Sequence, residues 1–287
     1  MATDVMLSDK SGRIRNMQEQ QRYLPDANRV GVLAAVVLLT YALDHLVKAP
    51  GITLTLQLPG FYFAYPLTLS TAMTLMASGL TATGMDWLLH GHPALQNQRT
   101  IEHWLLPTLT AFILGILLNI LPGGPSWWTG FVLSASILIS VFLAEYITVE
   151  PGAPNYPLAS AGLTALSYAL FFLLSIALRT AGARLFMIIP AIFLASSLVS
   201  LRTLHLRLSG RWEFPWSIGI GIVCAQIAGG LHYWPLTSVQ FGLILVGPLY
   251  ALTALAYSLS EDIPFRRALT EPGIILALTW GAAVFIH

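Results

Sequence analysis

The chain has 287 residues, 56% of them hydrophobic and 9% charged, with a formal net charge of +1. A soluble domain carries about 25% charged residues, so this composition excludes a water-soluble globular protein. Without basic residues clustered on one face, it also argues against a nucleic-acid binder.

Residues 103–144 and 214–260 contain no Asp, Glu, Lys or Arg. Each is long enough to cross a bilayer twice, because about 20 apolar residues cover roughly 30 Å of hydrocarbon. The fold class expected is an all-α polytopic transmembrane bundle of about nine spans, or eight if the last does not cross. Two regions are expected: a polar cytoplasmic tail over 1–29 and a single transmembrane helical domain over 30–287. The tail opens with no apolar segment of the signal-peptide kind, so the first span is expected to serve as the insertion signal.

The first span runs from about Val30 to Val47, behind Pro25 and Asp26 as a helix start. Residues 51–60 alternate Ile52, Leu54, Leu56 and Leu58 against Thr53, Thr55 and Gln57. That period of two, with Gly and Pro at the ends, predicts a short strand on the outer surface. The second span covers about Phe61 to Leu89. Its Ser70, Thr74, Ser78, Ala82 and Asp86 step by four and share one helical face, where hydroxyls are expected to bond the carbonyl one turn back. The third and fourth spans, about Trp104 to Leu121 and Trp127 to Tyr146, are divided by Pro122-Gly123-Gly124-Pro125, a tight reversal.

The fifth span is about Pro157 to Leu178 and the sixth Ala183 to Leu204. The seventh, Phe214 to Leu231, carries Gly221, Ala225 and Gly229 at intervals of four, a packing seam of small residues. The eighth is Ser238 to Leu259. The ninth, Pro272 to Ile286, is short unless it begins nearer Phe265. Thr270 and Glu271 read as its cap. Pro107, Pro190 and Pro248 each predict a bend. Cys224, the lone cysteine, reads as a small buried hydrophobe.

With the N-terminus inside and nine crossings, eleven of the 14 Lys and Arg fall on the inner side, leaving Lys48, Arg179 and Arg184 outside. That is the positive-inside bias. It places the protein in a plasma membrane, the bacterial inner membrane, with the C-terminus outside. Trp87, Trp104, Trp212 and Trp216 then lie at the inner boundary and Trp127, Trp128 and Trp234 at the outer.

Ionisable residues concentrate in two inner connections. The first, between spans 2 and 3, holds the candidate catalytic residues Asp86, His90, His92, Glu102 and His103, with Arg99 among them as a candidate substrate ligand. The second, after span 6, adds Arg202, His205 and Arg207 as substrate-binding candidates. Gln226, inside span 7, is a candidate for lining a path. If the two connections meet in space, they form an anion pocket for a phosphorylated lipid headgroup, with Asp86 or His90 as proton acceptor. The histidines and carboxylates match no metal-ligand spacing, so no metal is assigned, and no cofactor is identified.

Phosphate-loop, dinucleotide-turn and serine-hydrolase motifs are absent. The leading function is transport of a small or lipid-like solute. The alternatives are a membrane-embedded enzyme acting on a phosphorylated lipid at the cytoplasmic face, and a non-catalytic scaffold or subunit. Membrane lipids are the expected partners, a membrane-protein partner or second copy is left open, and nucleic acid is not expected.

Overall fold

A computed structural model describes residues 25–47, 51–58, 61–92, 95, 100–150, 152–208 and 210–286. Helix α1 (Ala27–Leu46) is followed by a hairpin of β1 (Ile52–Leu58) and β2 (Phe61–Leu67), then α2 (Leu69–Leu89). A 3₁₀ turn (Ile101–His103) leads into α3 (Leu105–Ile120), α4 (Pro125–Ile147), α5 (Tyr156–Thr180) and α6 (Leu185–Arg207). Next come α7 (Phe214–Leu231), α8 (Ser238–Ser260), the short α9 (Phe265–Ala268) and α10 (Thr270–Phe285). The end of the bundle that carries Asp26 is called proximal below, and the opposite end distal.

Seven helices among the described residues are long and apolar enough to cross a membrane: α1, α4 to α8, and the stretch Phe265–Phe285. Helix α3 is apolar but only 16 residues long, roughly 24 Å at 1.5 Å per residue. Helix α2 is long enough at 21 residues, but its Ser, Thr and Gly content keeps it out of the strongly apolar set. The protein is therefore a multi-pass integral membrane protein built as a helical bundle.

Two expectations are corrected here. The first is that residues from Phe61 onward begin a helix. Phe61–Leu67 is instead a strand, paired antiparallel with Ile52–Leu58 from Ile52 opposite Leu67 to Leu58 opposite Phe61. The segment Phe-Tyr-Phe-Ala-Tyr-Pro-Leu is rich in aromatics that favour a pleated surface, and Pro66 disfavours helix over the residues before it. Helix α2 starts only after Thr68, whose hydroxyl accepts from Thr71 N at 3.3 Å. The all-α bundle thus carries one β-hairpin. The second correction concerns Pro107, which sits in the first turn of α3, where a proline costs no hydrogen bond. Pro190 and Pro248 do lie inside their helices.

Most other local expectations hold, the cap at Glu271 excepted. Asp26 caps α1 by accepting from Asn28 N at 2.9 Å. Ser78, Thr81 and Thr110 each donate to the carbonyl four residues back, at 2.7–2.8 Å, which satisfies hydroxyls where there is no water. A Cβ at Gly221 would collide with Ser197 and the Phe193 carbonyl, so the small-residue stripe of α7 is an internal seam against α6. The last membrane helix does begin nearer Phe265, but Glu271 is no cap. It accepts from Tyr250 Oη at 2.8 Å.

The core has two lobes. One packs α1, α2, α3 and α4 around Val37, Ala77, Met85, Leu138 and Phe142. The other joins α3 to α8 around Phe171, Ile192, Cys224, Phe241 and Leu245. Helix α10 packs chiefly on α8 and leaves Ile274, Leu278 and Val284 exposed, as a lipid-facing helix should. Trp128 and Trp234 are exposed at the distal end, whereas Trp127 is only 4% exposed. Trp127 stacks on His45, with ring centroids 3.8 Å apart.

Candidate functional site

The proximal end holds a buried network of charged side chains drawn from three elements. On α4, Ser134, Leu138, Val141 and Phe142 mark the buried stripe, and Glu145, three residues beyond Phe142, falls on the same face. On α6 the stripe Ile192, Ala195 and Val199 runs into Arg202 and then His205. The 3₁₀ turn presents Glu102 and His103 between them. Glu145 is 0% exposed, Arg202 1% and His103 4%.

Arg202 grips Glu145 with two nitrogens. Its Nε lies 3.2 Å from Oε1, and a second guanidinium nitrogen donates to Oε2. His103 Nδ1 approaches the same Oε2 at 3.0 Å, and Thr148 Oγ1 donates to it at 3.4 Å. On its other side, His103 Nε2 is 3.5 Å from Glu102 Oε1. Glu102 Oε2 in turn lies 3.0 Å from His205 Nε2. The His205 ring packs on Trp212 at 4.3 Å.

Burial alone would lower the pKa of His103, but the carboxylates of Glu102 and Glu145 on either side outweigh it and raise the pKa above its ordinary 6.5. Bonds from His103 and His205 hold the Glu102 carboxyl far below the ordinary carboxylate range. A carboxylate 3.0 Å from Nδ1 needs a proton on that nitrogen. With His103 as imidazolium, two cations (His103, Arg202) balance two anions (Glu102, Glu145). The chain Glu102–His103–Glu145 leads from a side chain 31% exposed to one fully buried, with an ion-pair contact of 3.5 Å on the outer leg and a hydrogen bond of 3.0 Å on the inner one.

The two connections do meet, through Glu102–His205 and His103–Arg202, but Asp86 and His90 take no part. Asp86 accepts from Thr100 Oγ1 at 2.5 Å. His90 is 69% exposed, 3.5 Å from Asp86. His92 is buried against Tyr146, with ring centroids 4.5 Å apart. Burial lowers its pKa, with Glu150 opposing. Arg207 lies 5.6 Å over the Tyr257 ring, Gln226 is on an exposed face of α7, and Arg99 lies outside the described residues. Arg202 is already committed to Glu145, so the meeting point is a neutralised network rather than an open anion pocket.

Glu145 is the member that sequence reasoning missed. It ends the charge-free run 103–144, and its helical register with Leu138 and Phe142 marked it as an acid on a buried stripe. Among the described residues no group of three or more His, Cys, Asp or Glu is placed to hold a metal ion.

Beside the network runs an apolar groove of about 850 Å³. Helix α3 forms its floor through Thr108 and Phe112, α2 one wall through Leu75 and Ala82, and α6 the other through Ala191 and Leu194. Leu75 and Leu194 are more than half exposed, at 55% and 57%, so the groove opens sideways. Its lining includes Trp104 and Leu198, the first adjacent in sequence to His103 and the second one turn before Arg202.

These features define a multi-pass integral membrane protein with a buried acid–base network at one end and a lateral apolar groove whose lining includes sequence neighbours of that network. The chain belongs to the family described as "Protein of unknown function (DUF5656)", whose model matches residues 49–286, from the hairpin to the end of α10. No curated protein and no solved structure matches it.

Proposed function

We propose that the protein is a carrier that takes a lipid-like solute sideways from the bilayer into the groove between α2, α3 and α6. The single observation that carries this reading is the groove of about 850 Å³ whose lining comes within a residue of His103 and a turn of Arg202. Lipid chains surround such a groove, and its almost wholly apolar walls suit an apolar tail. The Glu102–His103–Glu145 chain is the group available to bind a polar end or to exchange a proton as the solute moves, because ionisable side chains inside a membrane protein are retained for such work.

The topology belongs to the same proposal: nine crossings, with α2 and α3 included, and the proximal end facing the cytoplasm. Support comes from the clustering of Arg29, Arg202, Arg207, Arg211, Arg266 and Arg267 at that end. At the distal end, Arg179 is used structurally. It donates to the carbonyls of His232 and Trp234 at 2.7 and 2.8 Å and ties down the α7–α8 turn.

A second reading, an enzyme acting on a phosphorylated lipid at the cytoplasmic face, draws on Glu102, a partly exposed acid bridging two imidazoles. It stands behind transport because Arg202, the guanidinium that would hold the phosphate, is neutralised by Glu145.

The test uses the purified protein in vesicles containing a photoactivatable phospholipid. Crosslinks are expected to concentrate on residues of α2, α3 and α6 that line the groove, and to disappear from them in Ala191→Trp, which fills it. Leaflet exchange of a fluorescent phospholipid is expected to be faster with the wild type than with that variant. Groove crosslinks without exchange, accompanied by a chemically altered lipid in mass spectra, would favour the enzyme. Crosslinks spread evenly over all lipid-facing helices would remove both readings.

A further inference from the structure

The distal end contains a second, different site. A cavity of about 480 Å³ lies between the end of α1, the start of α2, and the turn from α3 to α4. That is within the roughly 300–1,000 Å³ of small-molecule pockets and far larger than a bare ion needs. Unlike the apolar groove, its walls mix apolar side chains with oxygen acceptors.

Asp44 is the charged acceptor. It lines the cavity, its Oδ1 is buried without any partner, and among the described residues no Lys, Arg or His lies within ion-pair distance of it. The neighbouring His45 is held flat on Trp127, with the ring planes 17° apart, and does not turn to it. Asn119 donates its amide N to Thr74 Oγ1 at 3.4 Å, leaving its carbonyl as a second acceptor, and Ser70 adds a hydroxyl to the lining. Tyr41 donates to the Ala111 carbonyl at 2.5 Å, so its hydroxyl is spent and its ring is what it offers. A carboxylate oxygen buried without a hydrogen-bond partner is costly, and a cavity that offers the Asp44 carboxylate and the Asn119 carbonyl is completed by a ligand that brings donors and positive charge.

We propose that this cavity binds a small primary ammonium compound, with the ammonium on Asp44 and Asn119 and its carbon skeleton against Tyr41 and Leu118. The ammonium can belong to a free solute or to an aminophospholipid headgroup. The site is independent of the groove: it uses other residues at the opposite end of the bundle, and its success or failure leaves the carrier reading untouched.

The experiment is calorimetric titration of the full-length protein in detergent with butylammonium chloride, alongside butanol as the neutral isostere. Saturable binding of the cation and none of the alcohol is expected. Asp44→Asn should weaken it at least about tenfold, one step of 1.4 kcal/mol, and Asn119→Leu should weaken it less. Equal responses to cation and alcohol, or no binding of either by the wild type, overturn the proposal without recourse to any variant. Lys48, four residues after Asp44 in the sequence and outside the described residues, supplies a control. If Lys48→Gln binds butylammonium and the wild type does not, the lysine is itself the occupant and no external ligand is needed, which also overturns the proposal.

The source is separated by repeating the titration in nanodiscs. Suppression of butylammonium binding by phosphatidylethanolamine, relative to phosphatidylglycerol alone, assigns the site to a lipid headgroup. Unchanged binding in both assigns it to a free amine.

Discussion

The two ends of the bundle use similar residues in opposite ways. At the proximal end Glu145 is wholly buried and fully paired, with a guanidinium, an imidazole and a hydroxyl on its two oxygens. At the distal end Asp44 is less buried, yet one of its oxygens has no partner. The first arrangement is closed and holds three chain segments together. The second is incomplete. The lesson is that a carboxylate's burial says little about its role until its partners are counted.

The largest effect expected comes from breaking the closed end. Glu145→Leu alone leaves Arg202 buried and unpaired and should cost about 3–5 kcal/mol, whereas the Glu145→Leu/Arg202→Met double variant should recover most of that loss. Thermal unfolding in detergent measures both. Equal losses in the single and double variants would show that packing, not charge pairing, sets the cost.

Next in size is the α6–α7 seam. Gly221→Val forces a side chain into Ser197 and the Phe193 carbonyl and should cost about 1–3 kcal/mol, as overpacking does. Gly219→Val, with open space at its Cβ position, should change stability far less.

The pH dependence of stability sharpens the comparison further. His103 has a raised pKa in the folded protein, so its contribution is complete below its ordinary 6.5 and fades as pH rises through the folded value. Glu102 is lowered, so its contribution is present above its ordinary 4.5 and fades as pH falls toward the folded value. Stability should therefore be greatest between those ordinary values and fall on both sides, and His103→Gln should flatten the alkaline limb. An unchanged alkaline limb in that variant would show that another group carries it.

The smallest stability effect is expected at the open end. Asp44→Asn removes an unpaired charge and should leave stability unchanged or raise it by roughly 0.5–1 kcal/mol, the usual sign when a strained functional group is neutralised. A loss of several kcal/mol there would mean that Asp44 is paired after all.

Much of this architecture was legible in the residues. Charge-free runs located the helices to within a few positions, because a membrane span must bury its own backbone hydrogen bonds and advertises itself by composition. The glycine stripe of α7 was readable for the same kind of reason. The hairpin's second strand was not: Phe61–Leu67 is as apolar as a span, and hydropathy cannot separate a pleated segment from a helix. The site was half legible. Glu102, His103, Arg202 and His205 stood out as charges near apolar runs, but which of them meet depends on how α4, α6 and the 3₁₀ turn pack together. Glu145 was hidden by its position directly after a long neutral stretch, where an acid reads as the end of a span rather than part of its buried face.

Cys224, at 0% exposure within the larger core lobe, has a practical consequence. A water-soluble maleimide added to intact cells or sealed vesicles will pass over the native thiol. The natural sequence thus already serves as a silent background for introducing single cysteines at, for example, Gly123, Gly182 and Arg211. The first two should react from one side of the membrane and the third from the other, which reads the orientation of the whole bundle directly.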